Sequence, residues 1–247
     1  MRKTCNPNDQ FTMTLHSPSP GLVTQGITTP LRLSDFKLAA FDMDSTLINI
    51  ECVDEIADAA GRKAEVAAIT EAAMRGEITD YKDSLRRRVA LLAGVPVAAM
   101  EEVLTQRMQL NPGAIELTQA FKAAGMKLLL LSGGFTYFTD HIRDHLQMDF
   151  ARSNVLGIAD GKLTGKLVDQ AWGDICDGEE KRKMLLATCA QLGIDAKQSI
   201  AVGDGANDLP MMGVAGLSVA YHAKPKVRAQ AMVAINEGGL DRLLALF

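Results

Sequence analysis

The chain has 247 residues, 47% of them hydrophobic, and a formal net charge of −4. Its size and apolar content allow one substantial α/β core with a small insertion, and the weakly acidic charge gives no basic field for nucleic acid. No apolar stretch approaches the ~18 residues of a membrane span and the N-terminus lacks the apolar core of a signal peptide, so we expect a cytoplasmic protein that binds neither nucleic acid nor membrane.

Residues 1–35 differ in composition from the rest of the chain. They are rich in Ser, Thr, Pro, Asn and Gln and include SPSPG at 17–21. This composition predicts a partly ordered extension, although the alternation in FTMTL at 11–15 is typical of a short edge strand. About 35 residues are too few for a regulatory ligand-binding domain, so we expect no such domain here.

The first strand that we predict for the core is the apolar run in KLAAFDMDST, which ends at Asp42 and Asp44. The run shows no polar alternation, which is typical of a strand covered by helices on both faces. Ligands in open α/β sheets bind outside the carboxyl ends of the strands. We therefore expect both carboxylates at a binding site.

Residues 52–112 are predicted to be helical throughout. Four segments carry apolar residues at helical spacing, with glycine or proline breaks between them. They are VDEIADAA, KAEVAAITEAAM, YKDSLRRRVALLAG and AAMEEVLTQRM.

The third of these segments contains three consecutive arginines. Leu85 and Val89, followed by Leu92, form an apolar stripe on the predicted helix. At ~100° per residue, Arg88 lies beside this stripe and Arg87 points away from it. Arg88 is therefore better placed than Arg87 to reach a site beneath this helix.

Two later apolar runs end in polar clusters of the same kind. KLLLLSGG leads to Ser132, and SIAVGDGAND reaches Asp204 and Asp208. Both runs have the unalternating pattern of strands buried on two faces. Their polar ends are expected beside those of the first core strand, because parallel strands present their carboxyl ends at one edge.

The segment between these two runs supplies a hairpin and a lysine cluster. VLGIADGKLTGKLV at 155–168 predicts a hairpin that turns at Asp160 and Gly161 and forms a flap beside the site. The KRK sequence that follows contains Lys181 and Lys183. The two lysines are ~200° apart on a helix, so only one of them can face the site.

Four carboxylates are thus expected at one edge of the sheet. At an effective dielectric of ~20, two like charges ~4 Å apart repel by about 4 kcal/mol, so a cation is needed to bring them together. Magnesium prefers carboxylates, waters and phosphate oxygens, whereas zinc prefers the Cys and His ligands that these clusters lack. We predict a magnesium site.

The spacing of Asp42 and Asp44 also predicts phosphoryl transfer. One carboxylate can attack phosphorus, giving an aspartyl-phosphate, while the other gives a proton to the leaving oxygen and later activates water. We predict Asp42 as the nucleophile and Asp44 as the acid/base. Such a site also needs donors to the phosphoryl oxygens, for which we expect Ser132, the N–H of Gly133 and a lysine.

These residues resemble a known family. FDMDST at 41–46, SGG at 132–134, the lysine before the last core strand and GDGAND at 203–208 are similar to the four motifs of the haloacid dehalogenase superfamily. The longer segments DMDSTLINIECVDEIA, SLRRRV, LLSGGF and VGDGANDLPM resemble its phosphoserine phosphatase family. The resemblance covers roughly residues 36–247, and four motifs in order are far more specific than one.

The resemblance implies a fold and a division into domains. The fold is α/β, a doubly wound parallel sheet with a helical-bundle cap inserted after the first strand. Residues 36–51 and 113–247 are expected to form the catalytic core, residues 52–112 a four-helix cap, and residues 1–35 an extension.

The resemblance also implies roles for the acidic residues. Asp42 becomes the phosphorylated nucleophile and a ligand of Mg²⁺. Asp44 becomes the acid/base and a metal ligand through its backbone carbonyl. Asp204 is the third protein ligand, and Asp208 holds a water bound to the metal.

The phosphoryl-binding residues follow from the same motifs. Ser132 and Asn207 are expected to contact the phosphoryl oxygens. The family's usual spacing before Asp204 selects Lys181 rather than Lys183 as the catalytic lysine.

The substrate that the resemblance implies is phosphoserine, hydrolysed in the last step of serine biosynthesis. Its ammonium needs an acceptor and its carboxylate a bidentate donor, and Glu51 and Arg88 suit these roles. Met74 corresponds to an apolar residue of the family's pocket. The family's pocket also has an aromatic wall, which would fall near Tyr81. The segment 77–83 is one residue longer than in some members, so the resemblance does not fix which residue forms this wall.

Alternatives to this hydrolysis stay open at the level of sequence. The enzyme can instead pass the phosphoryl group to a small alcohol such as homoserine, or act on another small phosphomonoester. A phosphate-ligand sensor without chemistry and a partner-binding protein that uses residues 1–35 are further alternatives. The sequence also leaves open whether the protein is a monomer or a homodimer.

Overall fold

The computed structural model describes residues 15–74 and 77–247. Nine strands in this part form one sheet in the order β1-β2-β9-β8-β7-β3-β4-β5-β6. The strands are β1 (Leu15–Ser19), β2 (Leu22–Gln25), β3 (Leu38–Phe41), β4 (Lys127–Phe135), β5 (Phe150–Ala159), β6 (Lys162–Val168), β7 (Ser199–Gly203), β8 (Leu217–Tyr221) and β9 (Val233–Ile235). The six strands from β9 to β5 run parallel, and the outer pairs are antiparallel.

Helices connect these strands. They are α1 (Cys52–Ala59), α2 (Lys63–Met74), α3 (Tyr81–Ala90), α4 (Val97–Glu102), α5 (Ala114–Ala123), α6 (Thr136–His145), α7 (Gly178–Leu192), α8 (Leu209–Val214) and α9 (Pro225–Arg228). A π-helical turn, Val103–Arg107, continues α4. No helix in the described residues is long and apolar enough to cross a membrane.

Strand β3 lies at the centre of the sheet and all four of its residues are buried. Its side chains alternate between two apolar cores, as a strand covered on both faces requires. Ala39 and Phe41 belong to the core beneath α1 and α5, whereas Leu38 and Ala40 belong to the core beneath α7 and α8. This confirms the predicted doubly wound α/β fold.

The register of the central strands brings the predicted site residues to one edge. Phe41 lies opposite Leu130 of β4 and Val202 of β7 in parallel pairing. Strand β3 ends just before Asp42, and β7 ends at Gly203. Ser132 lies in the last part of β4. The polar clusters that follow the three strands therefore meet above the same part of the sheet.

We call the helices from α1 through the π-helical turn the cap helices. Within them, α1 packs against α2 and α4, and α2 packs against α3. The chain enters and leaves this segment along two adjacent stretches, because Ile48 and Leu110 form an antiparallel bridge. Asn111 ties these stretches together through its side-chain amide, which donates to the carbonyls of Thr46 and Ile48 at 2.8 and 2.9 Å. The division of the chain into core and cap domains stays a prediction.

The N-terminal segment contributes to the sheet. Strands β1 and β2 form a hairpin whose second strand pairs antiparallel with β9. The strand that ends just before Asp42 is therefore the third in the chain. Most of the edge strand predicted at 11–15 lies outside the described residues.

Strands β5 and β6 form the predicted hairpin. Asp160 and Gly161 have φ values of 51° and 69°, and positive φ at both positions is the geometry that a two-residue type I′ turn needs. The hairpin also contacts the loop after α3, where Gly94 donates to the carbonyl of Leu163 and Leu163 donates to that of Val95, both at 2.8 Å. The flap thereby links the core to the cap helices.

Candidate active site

A cavity of about 430 Å³ lies between the carboxyl ends of the central strands and the cap helices. Its floor comes from the loops after β3, β4 and β7, and its roof from α1, α2 and α3. The predicted site residues that line it are Asp42, Asp44, Glu51, Arg88, Gly133, Asp204 and Asn207.

At the floor of the site, a buried lysine joins two carboxylates. The Lys181 ammonium donates to Asp42 Oδ1 at 2.6 Å and to Asp208 Oδ1 at 2.7 Å. Lys181 is fully buried, whereas Lys183 on the same helix is exposed. Burial lowers the pKa of the ammonium, but the adjacent carboxylates outweigh it and hold the pKa of Lys181 well above its usual range. The structure thus places Lys181, and not Lys183, in the site.

Three carboxylates can hold a metal ion together. Asp42, Asp204 and Asp208 each offer an oxygen, and these oxygens lie within 4.8 Å of one another. Lys181 supplies only one positive charge to the group. Burial and then the Asp208 charge raise the pKa of Asp204 to about 7, so a further cation beside it would favour its ionised form. This donor set is compatible with a divalent ion.

Asp208 is fixed by the turn in which it lies. The backbone N–H groups of Asp204 and Gly205 donate to its Oδ2 at 3.1 and 3.0 Å, and Lys181 holds its other oxygen. A methyl group in place of the Gly203 hydrogen would lie 2.3 Å from Asp208 Oδ2. Glycine at this position therefore leaves the space that the carboxylate occupies.

Asp44 is held at the N-terminus of α1. The backbone N–H of Cys52 donates to Asp44 Oδ2 at 3.3 Å, and the Cys52 thiol donates to Oδ1 at 3.2 Å. Burial, and then the nearby charge of Glu51, raise the pKa of Asp44 to about 7. A carboxyl group with such a pKa can both give and take a proton near neutral pH.

The end of β4 forms a polar corner beside these carboxylates. Ser132 is fully buried and its hydroxyl oxygen accepts from the N–H of Gly134 at 2.8 Å. A methyl group placed on Gly134 would lie 3.0 Å from Ser132 Oγ and 3.1 Å from Asp44 Oδ2, so these two side chains share one corner. Gly133 lines the cavity itself.

Glu51 and Arg88 lie on the cap side of the same cavity. Ser45 donates to one oxygen of Glu51 at 2.7 Å, which leaves the other for a ligand. The Nε of Arg88 is buried and has no hydrogen-bond partner among the described residues, whereas Arg87 is exposed and pairs with Asp83 at 2.8 Å. A buried guanidinium N–H without an acceptor fits an anionic ligand.

Comparisons with known proteins agree with this geometry. Residues 36–216 match the model of the haloacid dehalogenase-like hydrolases. A phosphoserine phosphatase from Polaromonas sp. is 77% identical over 228 residues, which make up 92% of this chain and 97% of the relative. The chain belongs to the phosphoserine phosphatase family of haloacid dehalogenase-like hydrolases.

Solved structures place this hydrolase among similar folds. A probable phosphoserine phosphatase from Vibrio cholerae, in unliganded form, is 42% identical, with a TM-score of 0.78 over 91% of this chain and 67% of that one. A phospho-aspartyl intermediate analogue of phosphoserine phosphatase is 38% identical, with a TM-score of 0.77 over 85% of this chain and 97% of that one.

The structure of the hydrolase also brings in residues that the sequence did not assign. Thr46 is buried and donates to Asp204 Oδ1 at 3.2 Å, Cys52 binds Asp44, and Lys224 lines the cavity. Tyr81, whose place the resemblance left open, lines the cavity as well. The position of Thr46, four residues after the nucleophile in FDMDST, was a signal available in the sequence. The Met74 side chain lies outside the described residues, so its predicted role stays a prediction.

Proposed function

We propose that this hydrolase converts O-phospho-L-serine to L-serine and phosphate through an aspartyl-phosphate on Asp42, the last step of serine biosynthesis. The observation that carries the proposal is that one cavity holds a carboxylate pair, Asp42 and Asp44, beneath an acceptor and a cationic donor, Glu51 and Arg88. A phosphomonoester with an ammonium and a carboxylate matches both ends of this cavity. The relatives named above support the same substrate.

The first half of the reaction transfers the phosphoryl group to the enzyme. Asp42 Oδ1 accepts from Lys181 and from the N–H of Met43 at 2.8 Å, which leaves Oδ2 to attack phosphorus. A bond forms between Oδ2 and phosphorus while the bond from phosphorus to the serine oxygen breaks. Asp44 gives its proton to that oxygen, and serine leaves as the alcohol.

The second half regenerates the enzyme. Asp44, now a carboxylate, takes a proton from water, whose oxygen attacks phosphorus. The bond between phosphorus and Asp42 breaks and inorganic phosphate leaves. Throughout, the Lys181 ammonium holds Asp42 in place and offsets the negative charge at the floor of the site.

The acidic residues fit magnesium as the cofactor. Asp42, Asp204 and the backbone carbonyl of Asp44 would hold the ion, with Asp208 beside it, and all of these donors are the oxygen atoms that Mg²⁺ prefers. When bound, the ion supplies positive charge that neutralises phosphate oxygens. Manganese or cobalt is expected to substitute, because oxygen ligands discriminate poorly among these ions.

The experiment that tests the proposal is magnesium-dependent phosphate release from L-phosphoserine. The comparison substrates, each assayed separately, are D-phosphoserine, phosphothreonine, phosphoethanolamine, phosphoglycolate and a sugar phosphate. Asp42→Asn is the inactive control. We expect a strong preference for phosphoserine that is lost in this variant. Activity that favours another ester would overturn the substrate assignment, and phosphohomoserine formed from added homoserine would identify a phosphotransferase.

Two neighbouring arginines give a matched test of the pocket. Arg88→Met removes the cavity guanidinium, and we expect kcat/KM for phosphoserine to fall by about tenfold to a hundredfold, the size of a lost hydrogen bond to a charged group. Phosphoethanolamine, which has no carboxylate, should be affected much less. Arg87→Met removes an exposed ion pair on the same helix and should leave both activities unchanged. Equal losses on both esters would contradict the role of Arg88.

We also propose that the protein acts in the cytoplasm. Cys52, Cys176 and Cys189 are unpaired thiols in the described part of the chain, which is usual in reducing compartments. Fractionation of cells that express a tagged chain tests this location. Light scattering would decide between monomer and homodimer.

A further inference from the structure

Tyr81 occupies a junction between the cap helices and the core. It is the first residue of α3, where Asp80 caps the helix by accepting from the N–H of Lys82 at 3.0 Å. The cap fixes the direction in which the helix starts, and Tyr81 lines the cavity. From the cap side of the cavity, the Tyr81 hydroxyl group reaches Gly133 at the end of β4.

The hydroxyl group of Tyr81 rests directly on Gly133. A methyl group in place of the Gly133 hydrogen would lie only 2.0 Å from the phenolic oxygen, and 3.3 Å from the ring carbon that bears it. This contact is possible only because position 133 has no side chain. The hydroxyl therefore lies beside the glycine whose N–H is expected to bind the phosphoryl group.

The same hydroxyl makes no hydrogen bond with any described residue, and Tyr81 and Gly133 both line the cavity. Burial raises the pKa of Tyr81 well above its usual range, with Lys181 and Arg88 opposing this shift and Asp42 reinforcing it. The phenol consequently stays protonated at neutral pH. Such a protonated hydroxyl can donate one hydrogen bond, and it lies next to the expected site of an anion.

We propose that the Tyr81 hydroxyl donates a hydrogen bond to the phosphoryl group of the substrate, so that a cap residue joins Gly133 and Lys181 in binding it. This inference rests on the proposed function for the identity of the ester, but its geometry concerns the phosphoryl group alone. It gives the cap helices a second contact with the substrate besides the carboxylate contact of Arg88.

Tyr81→Phe tests the inference because it keeps the ring and removes only the O–H. We expect kcat/KM for phosphoserine to fall by about tenfold to a hundredfold, as for a hydrogen bond to a charged group. The dissociation constant of inorganic phosphate, measured by calorimetry with magnesium present, should rise by a similar factor. Tyr137→Phe is the matched control, because the Tyr137 hydroxyl contacts Glu101 away from the cavity.

The outcomes separate the inference from the proposed function. Unchanged kcat/KM and unchanged phosphate binding in Tyr81→Phe would overturn the inference. A higher KM for phosphoserine with unchanged phosphate binding would also overturn it, since the hydroxyl would then contact the serine part. If the wild-type enzyme does not cleave phosphoserine, the proposed function fails, while weaker phosphate binding by Tyr81→Phe would still support the phosphoryl contact.

Discussion

At the scale of single residues, Gly203 controls where Asp208 lies. The Asp208 carboxylate is held by one ammonium and two backbone N–H groups, so it cannot rotate away from an intruding group without losing them. A methyl group on residue 203 would lie 2.3 to 2.6 Å from three atoms of Asp208. Either the strand end or the carboxylate must then move.

We predict that Gly203→Ala lowers kcat/KM by roughly a hundredfold, the cost of misplacing a catalytic group by about 1 Å. Gly213→Ala is the matched control. Gly213 is an exposed residue of α8 with open space around it, and alanine there should raise the free energy of unfolding by about 0.5–1 kcal/mol without changing activity. Steady-state kinetics and urea unfolding measure both effects, and wild-type kcat/KM in Gly203→Ala would contradict the prediction.

The residues of the site differed in how well the sequence predicted them. Asp42, Asp44, Asp204 and Asp208 follow apolar strands, so strand geometry was enough to bring them together. Tyr81 follows no such strand and its place was left open, because its contact with Gly133 depends on how a helix from the insertion is placed over the sheet. Contacts between a helix and a distant strand end do not follow from the local pattern.

At the scale of elements, α3 is joined to the core by ion pairs. Asp174 lies in the loop before α7 and accepts from Lys82 at 2.9 Å and from Arg86. Its Oδ1 also accepts from the N–H of Ile175 at 2.9 Å. Because α3 carries Arg88 and Tyr81, these pairs help to place the cap side of the pocket.

We predict that Asp174→Asn raises KM for phosphoserine about twofold to fivefold and changes kcat little. The amide keeps an acceptor for the N–H of Ile175 but loses the charge, and partly exposed ion pairs have small energies of this order. High salt should reduce the difference in KM between the variant and the wild type, since salt screens these ion pairs. Asp140→Asn, which removes a pair with Arg143 within α6, is the control, and an equal KM change there would contradict the prediction.

The elements were predictable where one pattern dominated. The β5–β6 turn followed from Asp160-Gly161, and β3 from its apolar run. Strands β1 and β2 lie in the segment that the sequence predicts as an extension, because residues 1–35 are rich in Ser, Thr, Pro, Asn and Gln. Strand β2 pairs with β9 across more than 200 residues of chain, and a sequence pattern does not specify the partner of an edge strand.

At the scale of the whole molecule, the buried carboxylates of the site make stability depend on pH. In the metal-free protein, burial raises the pKa of Asp44 and Asp204 to about 7, against about 4 for Asp in an unfolded chain. Between these values the folded protein binds more protons than the unfolded chain. The contribution of both groups to the free energy of unfolding is therefore fully present below about pH 4 and is lost as the pH rises through 7.

We predict that Mg²⁺ raises the unfolding midpoint more near pH 8 than near pH 5, because the ion and protons compete for the same carboxylates. Thermal unfolding of the protein with magnesium or with a chelator, at each pH, measures the two shifts. In Asp204→Asn the site loses one carboxylate, so both the magnesium shift and its pH dependence should shrink. A magnesium shift of equal size at the two pH values would mean that the ion does not bind at these carboxylates.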